Sequence, residues 1–234
     1  MNRLYVDVGN SRIKYAQAGG AMAAIAHHGN PASALSQILE TLIRPDEIIV
    51  ADVTGVAAVA LRGHVVRTLT ASAASCGVTN GYPEPARLGA DRWAALIGAR
   101  VRHRGAVCVV DAGTAITVDA MSADGAHLGG WIAPGFALAV SALVQGTRFA
   151  RTLGGTDGAV GFATDTAGAI HAGVRHSALG FVDRARRTAT QVLGEAPQLL
   201  FCGGDAAALA AEFPDAVVDE PLVLHGLMAW ADQP

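Results

Sequence analysis

Val6-Asp7-Val8-Gly9-Asn10-Ser11 and Val110-Asp111-Ala112-Gly113-Thr114-Ala115 share one pattern. Each is an apolar strand with an aspartate near its end, a glycine two residues later and a hydroxyl-bearing residue near the turn. Glycine tolerates positive φ and lets a phosphate come close, because it has no Cβ. N–H groups and the hydroxyl of such a turn can donate to phosphate oxygens, and the aspartate can hold a metal ion or its water shell. The two stretches therefore predict an α/β protein that holds a phosphate-bearing ligand between two similar halves.

A single turn of this kind is weak evidence, since Asp and Gly form ordinary turns. This chain carries two copies, with Lys14 just beyond the first and a Gly203-Gly204-Asp205 turn after a later strand pattern. It has no GxxxxGKS/T sequence, and its glycines do not form GxGxxG between a strand and a helix. A P-loop and a dinucleotide-binding motif are therefore excluded.

The composition is that of a folded chain with a sizeable core. Of 234 residues, 51% are hydrophobic and 16% are charged, which excludes intrinsic disorder. The net charge of −3 provides no overall attraction for nucleic acid or anionic lipid. Cys76, Cys108 and Cys202 lie far apart without a CxxC pair, so neither a disulfide framework nor a zinc site is predicted. The first residues lack the apolar region of a signal peptide, and we expect a cytoplasmic location.

Residues 128–147 contain no charged side chain and are long enough to suggest a membrane span. They also contain several glycines and Pro134, which interrupt a continuous helix. We therefore predict a strand, a glycine-proline turn and a buried helix here, and no membrane span.

Hydrophobic periodicity and turn residues predict the order of the elements. Strands are predicted at 4–8, 13–17, 21–28, 47–51, 106–110, 116–121 and 198–202, with mixed short elements before residue 82. Helices are predicted at 32–43, 89–104 and 164–193, and two more follow the last strand. The repeat divides the chain into an N-terminal half, 1–105, and a C-terminal half, 106–234.

The sequence Leu88-Gly89-Ala90-Asp91-Arg92 opens a predicted helix and places an acid and a base in its first turn. A helix N-terminus favours an ionised aspartate, and an ionised Asp91 can accept the proton of a substrate hydroxyl. Arg92 can bind a carboxylate or a phosphate. The alternative is that Asp91 only caps the helix and Arg92 is a surface charge.

The two hairpins and the later Gly-Gly turn resemble the acetate kinase, sugar kinase, Hsp70 and actin superfamily. The resemblance implies two related actin-like (ribonuclease H-like) half-domains, each a mixed β-sheet flanked by helices, with ATP in the cleft between them. Four further groups of residues follow one another along the chain: Tyr82, Pro85, Leu88, Gly89, Asp91 and Arg92; Asp111, Gly113, Thr114, Ala115, Thr117 and Asp119; Gly129, Gly130, Ile132, Pro134 and Gly135; and Asp165, Thr166, Ala169 and Ile170. In this order and spacing they resemble the type III pantothenate kinase family.

The resemblance implies ATP-dependent phosphorylation of pantothenate to 4′-phosphopantothenate, the first step of coenzyme A biosynthesis. It makes Asp91 the proton acceptor and Asp111 the ligand of a monovalent cation, K+ or NH4+, with Mg2+ accompanying ATP. It implies a homodimer with active sites at the subunit interface. The ATP-binding residues that it implies are Asp7, Val8, Gly9, Asn10, Ser11, Arg12, Ile13, Lys14 and Thr114. The pantothenate-binding residues are Tyr82, Gly89, Ala90, Asp91, Arg92 and Thr166.

Two departures and two alternatives accompany this resemblance. The first motif ends in Ser11 where threonine is commoner, and the stretch 153–156 lacks an expected proline. Another superfamily member, such as a sugar kinase or an acetate kinase relative, is one alternative, although a sugar kinase is normally longer. The other is a non-catalytic regulator, since some relatives are described as accessory factors for transcription. A regulator tends to lose catalytic residues, and here Asp7, Asp91, Asp111, Thr114 and Thr166 are all present.

Overall fold

The computed structural model describes residues 1–147 and 162–233, which contain two five-stranded sheets with helices on both faces of each. The first sheet has the order β3-β2-β1-β4-β5. Its strands are β1 (Arg3–Val8), β2 (Arg12–Gln17), β3 (Ala23–Ala26), β4 (Glu47–Asp52) and β5 (Val66–Thr68). Two short strands, β6 (Ala74–Ser75) and β7 (Val78–Thr79), form a separate hairpin.

The second sheet repeats the topology of the first, in the order β10-β9-β8-β11-β12. Its strands are β8 (Val107–Ala112), β9 (Ala115–Met121), β10 (His127–Pro134), β11 (Gln198–Cys202) and β12 (Val217–Val218). In both sheets the central strand is antiparallel to the next strand in the chain and parallel to a later one. Asp7 is paired with Lys14 across the first hairpin, and Asp111 with Thr117 across the second. The predicted repeat of two mixed sheets is confirmed.

The helices also follow the predicted order. They are α1 (Pro31–Thr41), α2 (Ala57–Ala60), α3 (Ala90–Arg102), α4 (Phe136–Gly146), α5 (Thr166–Leu193), α6 (Ala206–Ala210) and α7 (Leu222–Ala231). Two of them begin with a side-chain cap: Asn30 accepts from the Ser33 N–H at 3.1 Å, and Asp165 accepts from the Gly168 N–H at 2.8 Å. Such caps satisfy N–H groups that have no partner inside the helix, and they set where α1 and α5 start.

The layers alternate helices and sheets. Helices α1 and α2 cover the outer face of the first sheet, and α5 and α6 cover the outer face of the second. Helices α3 and α7 fill the space between the sheets, where Trp93 and Leu96 of α3 share one core with Ile49 of β4 and Val109 of β8. Because α3 is held from both sides, its first turn has a fixed position between the two hairpins. The assignment of halves 1–105 and 106–234 stays a prediction.

Helices α3 and α7 cross at a pair of glycines, Gly98 and Gly226. A Cβ on Gly226 would overlap the backbone carbonyl of Ala94, and one on Gly98 would overlap the carbonyl of Leu222. The obstructing atoms are backbone, so no side chain can move aside. Glycine is needed here because the helix backbones touch.

We expect Gly226→Ala to lower the free energy of unfolding by about 1–3 kcal/mol, because the methyl group forces the two helices apart. Chemical denaturation measures this change. Gly180→Ala is the matched control, since Gly180 lies on exposed α5 surface with open space around its Cβ position. That variant should gain up to about 1 kcal/mol from helix propensity. Equal effects of the two substitutions would contradict the close crossing.

Two details differ from the predictions. Strand β3 is shorter than the predicted 21–28, because only Ala23–Ala26 pair with β2. The prediction of a buried helix after Pro134 is wrong: α4 has no buried residue in the single chain, although it reads FALAVSALVQG.

Within residues 1–147 and 162–233, no helix is long and apolar enough to cross a membrane. The stretch 153–156, which lacks the proline that the family resemblance leads us to expect, lies outside the described residues.

Candidate active site

A cavity of about 350 Å³ lies between the two hairpins, at the first turn of α3. Its walls come from both sheets and from the starts of α3 and α4. The lining residues are Asp7, Gly9, Asn10, Ser11, Arg12, Lys14, Val53, Asp91, Asp111, Gly113, Thr114, Ala115, Thr117, Ala137, Leu138, Gly204 and Asp205. Both repeated motifs therefore face one space.

The first hairpin places a buried carboxylate and an ammonium group side by side. Asp7 is 6% exposed and lies opposite Lys14 in the β1–β2 register. Burial raises the pKa of Asp7 to about 7; Lys14 acts against this rise, and the nearby carboxylates of Asp111 and Asp91 add to it. Burial alone would lower the pKa of Lys14, but the charges of Asp111 and Asp7 outweigh it and raise the pKa. The cavity is thus lined by the positively charged ammonium group of Lys14 beside several carboxylates.

The two hairpins touch each other directly. The hydroxyl oxygens of Ser11 and Thr114 lie 2.7 Å apart, which is hydrogen-bonding distance. Ser11 is the last residue of the first motif and Thr114 the residue before the last of the second, so the contact joins the turns of the two hairpins. Serine in place of threonine in the first copy keeps this bond.

The Gly203-Gly204-Asp205 turn packs on the second hairpin. Gly203 has φ of 98°, and a Cβ there would overlap the Ala112 carbonyl, so this position needs glycine. The Asp205 N–H donates to the Ala112 oxygen at 2.9 Å. A Cβ on Gly204 would lie 3.1 Å from Nη1 of Arg12, which reaches across from the first hairpin. The third glycine turn therefore closes the cavity beside both hairpins.

Asp91 enters the cavity from the second residue of α3. The N-cap of this helix is Gly89, and the Asp91 carboxylate accepts the backbone N–H of Arg92 at 2.7 Å. Burial raises the pKa of Asp91, the Arg92 N–H lowers it, and the charge of Asp111 raises it again. A carboxylate that faces a cavity and has a raised pKa is suited to accept a proton. Asp91 is therefore placed for more than local capping.

Arg92 is a buried residue, so its interpretation as a surface charge is wrong. Its Nε and Nη2 donate to the two carboxylate oxygens of Asp119 at 2.8 and 2.6 Å, and its Nη1 donates to the Tyr82 hydroxyl at 3.1 Å. Burial alone would lower the pKa of Arg92, but Asp119 outweighs this effect and raises it. His127 lies 2.9 Å from the same carboxylate and stacks on the Tyr82 ring. These four side chains form a network directly behind Asp91.

The structure brings most of the predicted ATP-binding residues to the cavity. The exceptions are Val8 and Ile13, which are fully buried in the core beneath the first hairpin. Of the predicted pantothenate-binding residues, only Asp91 lines the cavity. Thr166 is exposed at the start of α5 and does not line the cavity of its own chain.

Sequence reasoning assigned no role to several residues that the structure brings to this region. Leu138 of α4 lines the cavity, Asp119 accepts two hydrogen bonds from Arg92, and His127 is hydrogen-bonded to Asp119. Asp119 was signalled by its place at the end of the second motif. His127 had no signal, because its partner Asp119 lies on the neighbouring strand of a sheet whose register is not visible in the sequence.

The cavity offers oxygen ligands suited to a hard cation. Asp7 and Asp111 both line it; burial raises the pKa of Asp7, and repulsion by the charge of Asp111 adds to this rise. A bound cation would relieve this repulsion. In the part of the chain that the structure describes, no group of three or more His, Cys, Asp or Glu residues could hold a metal ion. A cation here would thus take further ligands from phosphate oxygens and water, as Mg2+ commonly does.

Comparison of the sequence with known families gives one consistent result. The family model described as type III pantothenate kinase matches residues 3–188. A type III pantothenate kinase from Halorhodospira halophila is 42% identical over 252 residues, which covers 98% of this chain and 97% of the relative. Another, from Nitrosospira multiformis, is 34% identical over 239 residues, with 97% and 90% covered.

Solved structures share the fold at lower identity. A protein from Campylobacter jejuni, named for the Baf family of transcriptional activators, superposes with a TM-score of 0.67 at 24% identity, covering 96% of this chain and 95% of that one. An archaeal actin homologue gives a TM-score of 0.57 at 12% identity, with 100% of both chains covered. The activator of 2-hydroxyisocaproyl-CoA dehydratase from Clostridium difficile gives 0.55 at 14% identity, covering 98% and 93%. These likenesses confirm the predicted actin-like fold.

Proposed function

This chain belongs to the type III pantothenate kinase family, and from that membership we propose how its own residues perform the reaction. The chain is an ATP-dependent phosphotransferase that converts pantothenate to 4′-phosphopantothenate in coenzyme A biosynthesis. We propose that the cavity between the hairpins holds the phosphates of ATP and that Asp91 accepts the proton of the pantothenate hydroxyl. The observation that carries this proposal is one cavity lined by both phosphate motifs and Asp91.

The ATP-binding residues that we propose are the ends of both hairpins. The backbone N–H groups of Asn10 and Ser11 and the hydroxyl pair of Ser11 and Thr114 supply donors for phosphate oxygens. Lys14 adds a positive charge, because the carboxylates of Asp111 and Asp7 keep its amine protonated. The adenosine would lie toward Gly204 and Asp205, whose turn packs against the second hairpin.

The reaction with ATP uses a divalent metal such as Mg2+, which neutralises charge on the phosphates when bound. The carboxylates of Asp7 and Asp111 are the residues that would face it. We further propose that Asp111 holds a monovalent cation, K+ or NH4+. The raised pKa values of Asp7 and Asp91, to which the charge of Asp111 contributes, support a cation at this end of the cavity.

Proton transfer at Asp91 completes the proposed mechanism. As the pantothenate hydroxyl oxygen attacks the γ-phosphorus, Asp91 takes its proton, and the bond to the bridging oxygen of ADP breaks. The negative charge that develops on the phosphate oxygens is stabilised by Lys14 and by the hairpin amides, which are already in place. Because α3 is packed between both sheets, the carboxylate needs no large rearrangement to act.

We propose that pantothenate lies beside Asp91, at Tyr82, Gly89, Ala90 and Arg92, and that a second subunit contributes Thr166. Two observations support a homodimer with the active site at its interface. Helix α4 is apolar, yet none of its residues is buried in the single chain, and Leu138 of this helix both lines the cavity and is 48% exposed. Thr166 is exposed and does not line the cavity of its own chain. A cytoplasmic location stays a prediction.

The proposed function is tested by measuring pantothenate-dependent release of ADP with K+, NH4+ or Na+ as the only monovalent cation. Turnover that requires pantothenate and is stimulated by K+ or NH4+ supports the reaction and the cation together. Turnover in Na+ alone supports the reaction and contradicts the monovalent cation. Folded protein without turnover in any salt would favour a non-catalytic regulator or another alcohol as substrate.

Asp111→Asn is expected to abolish the stimulation by K+ or NH4+, because a neutral amide binds a cation less well than a carboxylate. The ratio of turnover in K+ to turnover in Na+ should fall to about one. The same ADP-release assay measures it. Asp183→Asn on the surface of α5 is the control and should keep the wild-type ratio. An unchanged ratio in Asp111→Asn would locate the cation elsewhere.

A further inference from the structure

A buried histidine lies behind the first phosphate motif. His27 follows β3 and is 7% exposed, and its Nε2 is 3.0 Å from the carbonyl oxygen of Gly9. The Gly29 N–H lies 3.3 Å from its Nδ1. The ring is therefore held between its own loop and the Gly9 turn, and His27 itself does not line the cavity.

The two partners determine which nitrogen carries the proton. A carbonyl oxygen only accepts hydrogen bonds, so Nε2 must donate to Gly9. A backbone N–H only donates, so Nδ1 must present its lone pair to Gly29. These assignments require the neutral imidazole with its proton on Nε2. The ring is thus a directed donor to one carbonyl of the phosphate turn.

The bond to Gly9 controls the direction of the following N–H. A peptide unit is planar and trans, so the Asn10 N–H points opposite to the Gly9 carbonyl. The carbonyl is drawn toward the buried ring, whereas Gly9 and Asn10 face the cavity. Within residues 1–147 and 162–233, the Asn10 N–H has no hydrogen-bond acceptor in the protein. It is therefore left as a donor for a ligand in the cavity.

The backbone of His27 strengthens the same connection. Its N–H donates to the Ser11 carbonyl at 3.2 Å, so one residue bonds both sides of the turn. Its carbonyl accepts the Asn30 N–H at 2.7 Å, and Asn30 is the cap of α1. Helix α1 packs on the outer face of the first sheet. His27 thereby links the phosphate turn to a packed helix.

We propose that His27 is a positioning residue for nucleotide binding: its Nε2–H holds the Gly9 peptide so that the Asn10 N–H points at a phosphate of ATP. This inference rests on the proposed assignment of the first hairpin to the phosphates. It places His27 outside contact with ATP. Without the hydrogen bond from the His27 ring, the Asn10 N–H is expected to be held less firmly, which weakens nucleotide binding. The binding of pantothenate is expected to stay unchanged.

The test compares three variants of the full-length protein. His27→Phe keeps the ring volume and removes the bond to Gly9, and His27→Gln keeps an N–H donor. His28→Asn is the matched control, because His28 is the neighbouring histidine, is exposed, and has a φ of 45° that asparagine tolerates. The KM for ATP, the KM for pantothenate and kcat are measured for each, together with the melting temperature.

We expect His27→Phe to raise the KM for ATP about 3- to 10-fold, with the KM for pantothenate within about twofold of wild type. His27→Gln should restore most of the ATP affinity, and His28→Asn should match wild type. An unchanged KM for ATP in His27→Phe would overturn the proposal, as would equal losses for both substrates. If His27→Phe does not fold, His27→Ala replaces it with the same criteria.

Titration with a fluorescent ATP analogue separates this inference from the proposed reaction. Wild-type protein that binds the analogue but releases no ADP with pantothenate would contradict the reaction, and the His27 variants would still be compared by their Kd. Weaker binding by His27→Phe, with His27→Gln near wild type, would then uphold the inference. Equal Kd values for wild type and His27→Phe would reject it whatever the turnover.

Discussion

Asp91→Asn is expected to lower kcat about 10²- to 10⁴-fold, the contribution that a positioned general base typically makes. The amide keeps the size of the side chain and can still accept the Arg92 N–H, so the start of α3 should be preserved. The KM values for ATP and pantothenate should therefore change little. Steady-state ADP release at saturating concentrations of both substrates measures the effect.

The wild-type pH profile provides a second view of the same residue. The carboxylate must be ionised to accept a proton, and burial raises the pKa of Asp91. Turnover should thus be lost, as the pH falls, at a higher pH than for an exposed aspartate. Asp183→Asn is the control and should retain wild-type kcat. Turnover by Asp91→Asn within tenfold of wild type would show that another group accepts the proton.

Asp119→Ala is expected to lower the free energy of unfolding by about 3–5 kcal/mol, because it leaves the Arg92 guanidinium buried without its counter-ion. Asp119 is 2% exposed and Arg92 8%, so water cannot easily replace the lost partner. Chemical denaturation measures the change. The control is Glu84→Ala, which breaks the exposed Arg87–Glu84 pair and should cost less than about 1 kcal/mol.

A double variant separates stability from function in this network. Arg92→Met with Asp119→Leu removes both charges, and most of the lost stability should return, since apolar residues often replace a buried ion pair without loss. Pantothenate affinity should not return, because Arg92, one of the proposed pantothenate-binding residues, is absent from this variant. Recovery of both stability and pantothenate affinity would mean that Arg92 serves only the fold. Equal costs for Asp119→Ala and Glu84→Ala would contradict the buried pair.

Most of the elements could be predicted from the sequence because their signals are local. The predicted strand at 198–202 is observed at Gln198–Cys202, and the long helix predicted at 164–193 is observed at Thr166–Leu193. Hydrophobic periodicity lies within each segment, and the cap or turn that ends it lies beside it. The failure at α4 has a physical reason: hydrophobicity indicates that a surface is to be covered, but not by which part of the molecule or by which chain.

The candidate site divides in the same way. Asp7, Asp111 and Thr114 were found from the repeated motif, whose residues are adjacent in the chain. The buried position of Arg92 could not be found in this manner, since it depends on Asp119 in the second sheet. The role that we propose for His27 likewise depends on a contact with a turn eighteen residues earlier.

The sequence by itself determined the two hairpins, the glycine turn, the phosphate-bearing ligand and the family of this protein. Those properties follow from backbone chemistry and turn residues within short segments. Only the tertiary structure decided that Ser11 meets Thr114, that Asp91 faces both hairpins and that Arg92 is buried on Asp119. Such contacts join segments far apart in the chain, and the packing of α3 between the two sheets sets their geometry. No local pattern records how two buried faces will meet.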